Sequence, residues 1–128
     1  MKTMATTTNI DLVLPLEKQY AQVLRLAVAG IANRLDFNWE QIEDIKLAVE
    51  EAFLLTRSAD SVSRIHFNFT VKPDSLTITV INAYLGHFDM QTYEQKYSFF
   101  IMTGLMDNVD IIPRNEKHFD LQLIKKIY

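Results

Sequence analysis

Between residues 65 and 81 the chain alternates apolar and polar side chains twice, with a turn between the two runs. Ile65, Phe67, Phe69 and Val71 are separated by His66, Asn68 and Thr70; after Lys72-Pro73-Asp74-Ser75, Leu76, Ile78 and Val80 alternate with Thr77, Thr79 and Ile81. Successive side chains of a strand point to opposite faces, so a period of two makes one face apolar and leaves the other polar. Proline presets the backbone angle of a turn, and aspartate hydrogen-bonds its own backbone there. The segment therefore reads as an antiparallel hairpin with one dry face, and the rest of the chain has to cover that face.

The remaining periodicities supply the cover. Ile10, Leu12 and Leu14 form a further strand pattern that Pro15 ends. From Glu17 to about Leu35, Tyr20, Val23, Leu24, Ala27, Val28, Ile31 and Leu35 recur at helical steps. Asn38-Trp39-Glu40-Gln41 reads as a capped helix start, with the Asn38 side chain accepting from the third helical amide and Gln41 reaching back. The helix that follows carries Ile42, Ile45, Val49, Ala52, Phe53 and Thr56 on one stripe and ends near residues 58–60. Tyr93, Tyr97, Phe100, Ile101 and Leu105 mark a third helix, Val109–Ile112 a short strand, and Phe119, Leu121 and Leu123 a last one. The order β-α-α-β-β-α-β-β implies an α+β fold: a two-layer sandwich whose mixed, mostly antiparallel sheet carries helices on one face.

With 128 residues the chain suits a single domain, residues 1–128, with the first eight expected to be flexible. Thirteen basic and 16 acidic residues give a net charge of -3, which offers no broad basic footprint for nucleic acid. The absence of cysteine excludes disulfides, thiolate metal sites and a cysteine nucleophile. No apolar run approaches the ~20 residues of a membrane helix, and the start lacks the apolar middle of a signal peptide, so a cytoplasmic protein is expected.

Two patches carry a resemblance. They are Glu43-Asp44-Ile45-Lys46-Leu47-Ala48-Val49-Glu50-Glu51-Ala52 on the second helix and the segment from Phe100 through Met106-Asp107-Asn108-Val109 to Ile111. With the element order and the closing Ile124-Lys125-Lys126-Ile127, they make the chain resemble the bacterial anti-sigma-factor serine kinases of the RsbW and SpoIIAB type, within the GHKL ATPase and histidine-kinase (Bergerat-like) fold. The likeness runs from about Ile10 to Tyr128.

The resemblance implies particular residues. Glu51 matches the glutamate that activates the attacking hydroxyl. One turn on, where the family holds magnesium through an asparagine, this chain has Leu55, which offers no lone pair to a hard cation. The aspartate that receives the adenine amino group corresponds to Asn82, and of the two glycines that follow it Tyr84 replaces the first and Gly86 matches the second. The glycine-rich lid that cradles phosphates reads Tyr97-Ser98-Phe99-Phe100, without glycine. Asn82 lies in phase with Leu76, Ile78 and Val80 and is expected to point to the buried face, while Phe53, Leu54, Leu55 and Tyr84 are expected to fill the pocket. His66, His87 and His118 are scattered, the His87–Asp89 pair has no third ligand, and Ser58, Ser61 and Ser63 have no acid-base partners, so neither a metal site nor a hydrolase triad is expected.

The expectation is a non-catalytic regulator that binds a sigma factor or an anti-sigma antagonist and can form a homodimer, with no cofactor and no direct nucleic-acid or membrane contact. Glu51 would then be a remnant base, and Asn82 and Gly86 remnant nucleotide positions. The aromatic-rich Tyr84–Phe99 segment would be a partner contact or a pocket filler. The alternatives are a working serine kinase that uses ATP and magnesium, and a small-molecule sensor that reuses the pocket.

Overall fold

In a computed structural model of the chain, residues 7–59, 64–84 and 93–128 are described. Strand β1 (Thr8–Pro15) leads through a 3-10 turn (Lys18–Tyr20) into helix α1 (Ala21–Ala32), followed by α2 (Trp39–Ala59), the hairpin β2 (Arg64–Lys72) and β3 (Ser75–Tyr84), α3 (Tyr93–Leu105), β4 (Asn108–Pro113) and β5 (His118–Lys126). This is the element order read from the sequence. Thr8 already pairs with Val71, so the flexible start expected over residues 1–8 does not extend to its last residue; residues 1–6 lie outside the described ones.

The sheet has five strands in the order β1-β2-β3-β5-β4, and every neighbouring pair is antiparallel. The expected mixed sheet is thus antiparallel throughout. Helix α3 carries the chain from β3 to β4 so that these two strands run the same way. Strand β5, however, inserts between them and pairs antiparallel with both, so a parallel ladder never forms. Pro15, without an N–H to donate, sits at the end of an edge strand, where a missing donor is tolerated.

The helix ends follow local chemistry. Asn38 Oδ1 accepts the Gln41 N–H at 2.8 Å, and Gln41 Oε1 accepts the Asn38 N–H at 2.9 Å, a reciprocal capping box. Helix α1 is shorter than the periodicity of residues 17–35. Its start is the 3-10 turn, and its end tightens into three-residue hydrogen bonds from Arg34 to Ile31 and from Leu35 to Ala32.

The core lies between the sheet and the helices. Phe67 and Phe69 of β2, Leu76 and Ile78 of β3 and Leu121 and Leu123 of β5 are fully buried. They face Leu24 and Val28 of α1, Ile45, Val49 and Phe53 of α2, and Met102 of α3, all equally buried. The opposite face of the sheet is polar: Asp11 Oδ1 accepts from Asn68 Nδ2 at 3.1 Å and lies 2.9 Å from His66 Nε2, and Thr70 Oγ1 donates to Asn9 Oδ1 at 3.0 Å. The Asn68 hydrogen bond and then the His66 one hold the Asp11 carboxyl below its usual range.

The second patch of the resemblance has a structural role. Asp107 follows α3, and its N–H donates to the Ile124 carbonyl at 2.9 Å. Its carboxylate accepts the Lys126 N–H at 2.7 Å and the Tyr128 hydroxyl at 2.9 Å. Lys125 Nζ donates to the Leu105 carbonyl at 2.6 Å and lies 3.7 Å from Asp44. The helix-to-strand corner thus ties the end of the chain to the helical layer. Partial burial pushes the Asp107 carboxyl up, but the Lys126 amide, the Tyr128 hydroxyl and the charges of Lys125 and Lys126 outweigh it and leave the group below its usual range.

Candidate functional site

Helix α2 delivers Glu51, Leu55 and Thr56 from its C-terminal half, and they do not share one environment. The i, i+3, i+4 stripe that faces the sheet includes Leu55, which is 2% exposed and belongs to the core. Phe53 is fully buried, while Leu54 and Tyr84 are half-buried. Of the four residues expected to fill the pocket, Phe53 and Leu55 thus belong to the core, and Leu54 and Tyr84 are only partly covered. Thr56 is buried too, and its hydroxyl donates to the Ala52 carbonyl one turn back at 2.9 Å. A magnesium ion takes oxygen ligands, and the Leu55 side chain supplies none.

Asn82 does not point into the core. It is exposed, with a φ of 56°, and the ladder between β3 and β5 shifts register between Val80 and Ala83. The bulge inserts an extra step, so Ala83, 5% exposed, takes the buried place that alternation assigns to residue 82. Asparagine tolerates the left-handed conformation better than most residues, which fits its position at the bulge. The Asn82 N–H donates to Asp120 Oδ1 at 2.8 Å, and the same oxygen accepts from Arg114 Nε at 2.6 Å. Asn82 lines a cavity of about 180 Å³ with Thr56, Arg64, His66, Tyr84 and His118. The Tyr84 and His118 rings meet edge to face there, with centroids 5.7 Å apart. Gly86, like His87, Asp89, Ser61 and Ser63, lies outside the described residues, and so does much of the Tyr84–Phe99 segment.

Glu51 faces elsewhere. It lines a groove of about 450 Å³ between α2 and α3, with Leu47, Phe100, Ile101, Gly104 and Leu105. Its half-buried carboxylate has no hydrogen-bond or ion-pair partner among the described residues. Neighbouring acids on α2 do: Glu43 with Lys46 at 2.9 Å, Glu50 with Arg25 at 3.2 Å, and Asp44 with Lys125. Glu51 and Asn82, which the resemblance gathers into one site, thus line separate depressions.

The lid positions are helical. Helix α3 begins at Tyr93, so Tyr97-Ser98-Phe99-Phe100 occupy its second turn, where backbone N–H groups bond to carbonyls four residues earlier instead of facing a ligand. Tyr97 and Phe100, two of the aromatic residues that mark α3, are not on its buried face. Gln95, Met102 and Met106 are buried, whereas Tyr97 is 52% and Phe100 72% exposed. Helical periodicity alone does not foresee this, because both sides of α3 carry apolar residues.

Among the described residues no group of three or more histidine, aspartate or glutamate side chains is placed to hold a metal ion, and no helix is long and apolar enough to cross a membrane. His66 lies against Asp11, and His118 packs on Tyr84.

No protein-family model matches the chain. It is 33% identical over 122 residues to the serine-protein kinase RsbW of Halalkalibacterium halodurans, an alignment that covers 80% of this chain and 75% of that protein. It is 31% identical over 123 residues to the serine-protein kinase RsbW of Bacillus cereus, covering 81% and 77%. To the protein of the same name in Oceanobacillus iheyensis it is 27% identical over 131 residues, covering 84% and 81%.

Proposed function

Because the chain belongs to the RsbW family of serine-protein kinases, we propose that it is an anti-sigma-factor-like regulator that has given up nucleotide chemistry. It works by holding a protein partner, either a sigma factor or an anti-sigma antagonist. The observation that carries this reading is Leu55, packed into the core at 2% exposure where the resemblance places a magnesium ligand. Phosphoryl transfer depends almost entirely on positioning and on charge stabilisation by metal and amides. The turned-out Asn82 and the helical lid positions support the same reading. These residues do not fit a magnesium nucleotide, and no catalytic step is assigned to them. Glu51 is then a remnant of the family base.

One observation favours a second reading, that of a working serine kinase: the Glu51 carboxylate has kept its place on α2 without acquiring an ion-pair partner among the described residues.

Two measurements decide between them. Co-expression with the sigma factors and antagonist proteins of the host should yield a stable complex with one of them; consistent failure to co-purify with any of these would overturn the regulator. The purified antagonist, incubated with this protein, magnesium and γ-labelled ATP, should gain no phosphoserine. Incorporation that disappears in Glu51→Gln would establish the kinase instead.

A further inference from the structure

The groove between α2 and α3 is apolar, open and acidic at one point. Leu47 on one wall is 51% exposed and Phe100 on the other 72% exposed, so two large apolar side chains flank it in water. Ile101 and Leu105 continue the lining. Gly104 lies between them, and a Cβ placed on it would meet nothing within 4 Å. The packing of this chain therefore does not require a glycine there, although glycine weakens a helix interior. Its effect is to leave the wall without a side chain, where a second backbone can come close. Glu51 supplies the charge. A carboxylate held among apolar side chains gains from a cation that brings its own apolar stem, as lysine and arginine do.

We infer that this groove seats an amphipathic helix of a protein partner, one that presents aliphatic side chains a turn apart and sets a lysine or arginine against Glu51. The partner's backbone passes over Gly104, and Leu47 and Phe100 clasp its apolar face, as in other helix-in-groove contacts. The charge of Glu51 commits the occupant's polar edge to be basic. An acidic helix would place like charges together in a partly dry contact. This inference rests on the partner-binding reading above and adds the place and the chemistry of the contact.

The test uses the whole protein and two synthetic helical peptides with the same leucine spacing, one with lysines and one with glutamates on the flanking positions. Titrated into isotope-labelled protein, the lysine peptide should give saturable shifts at the amides of Leu47, Glu51, Phe100 and Gly104, and should bind at least tenfold tighter than the glutamate peptide. Glu51→Lys should reverse that preference. Gly104→Ala, which meets open space in the free protein, should weaken the lysine peptide severalfold while leaving the fold intact. Shifts centred elsewhere, equal affinity for both peptides, or no response to Glu51→Lys would overturn the inference. So would a dimer in sedimentation that Phe100→Ala dissolves, since a second copy would then occupy the groove. A natural partner held with unchanged affinity by the Glu51→Lys, Phe100→Ala double variant would remove this site and leave the regulatory function standing. Absence of any partner for the unaltered protein would instead remove the function.

Discussion

Two depressions divide the residues that a nucleotide site would hold together. The one at the end of β3 is small, about 180 Å³, and polar side chains, Asn82 and His118 among them, line much of it. The groove that holds Glu51 is larger, about 450 Å³, and mostly aliphatic and aromatic. Between them α2 turns its core stripe, with Leu55, toward the sheet. A binding site of the ancestral kind needs the helix and the strand end to face a common space. Here Leu55 has joined the core, Asn82 has turned outward, and Glu51 lines the groove between α2 and α3.

The largest effect is expected from restoring the asparagine. Leu55→Asn removes an aliphatic side chain from the core and buries an amide in its place, which should cost about 3–5 kcal/mol in urea unfolding. A loss below about 1 kcal/mol would mean that the position opens onto solvent or a ligand space, and the contrast between the two depressions would fail. At the strand end, Asn82→Val places a β-branched residue at a φ of 56° and should destabilise by about 1–2 kcal/mol. An unchanged urea midpoint would show that the bulge does not hold that conformation. In the groove, Gly104→Ala should raise stability by up to ~1 kcal/mol through helix propensity, because its Cβ meets nothing. A loss would show that the α3 wall is closed rather than open.

The smallest effect concerns the corner that ties β5 to the helices. The Asp107 carboxyl sits below its ordinary 3.8, so its contribution is fully present above that value and is lost as pH falls through the folded one. Asp107→Asn should therefore lower the urea midpoint near neutral pH and bring the two proteins closer together at about pH 3. A gap of the same size at both pH values would assign the effect to hydrogen-bond geometry rather than to charge.

Most of the architecture was legible because it is written in local periods. The alternation over residues 65–81 fixed the hairpin, and the Asn38–Gln41 pair marked where α2 begins. What escaped depends on distant chain. That β5 comes between β3 and β4, and so makes the sheet wholly antiparallel, is not a property of either strand's own residues. The outward turn of Asn82 came from a bulge that a strict period of two cannot represent; an asparagine directly after a run of β-branched and aliphatic residues was the available signal. The groove was hidden for a different reason. Tyr97 and Phe100 look like core on a helix, and only the packing of α3 through Gln95 and Met102 shows that they are left outside. Likewise the leucine at position 55 could be read from the sequence, but its burial had to be seen.

The proposed loss of nucleotide binding is tested most directly by thermal unfolding of the purified protein with and without magnesium and ATP or ADP. A ligand at a hundred times its dissociation constant stabilises by about 2.7 kcal/mol, which shifts a midpoint visibly. No shift at millimolar nucleotide is the expected result. A saturable, magnesium-dependent rise in the midpoint that Asn82→Ala abolishes would contradict it, and would return Glu51 and Asn82 to a single working site.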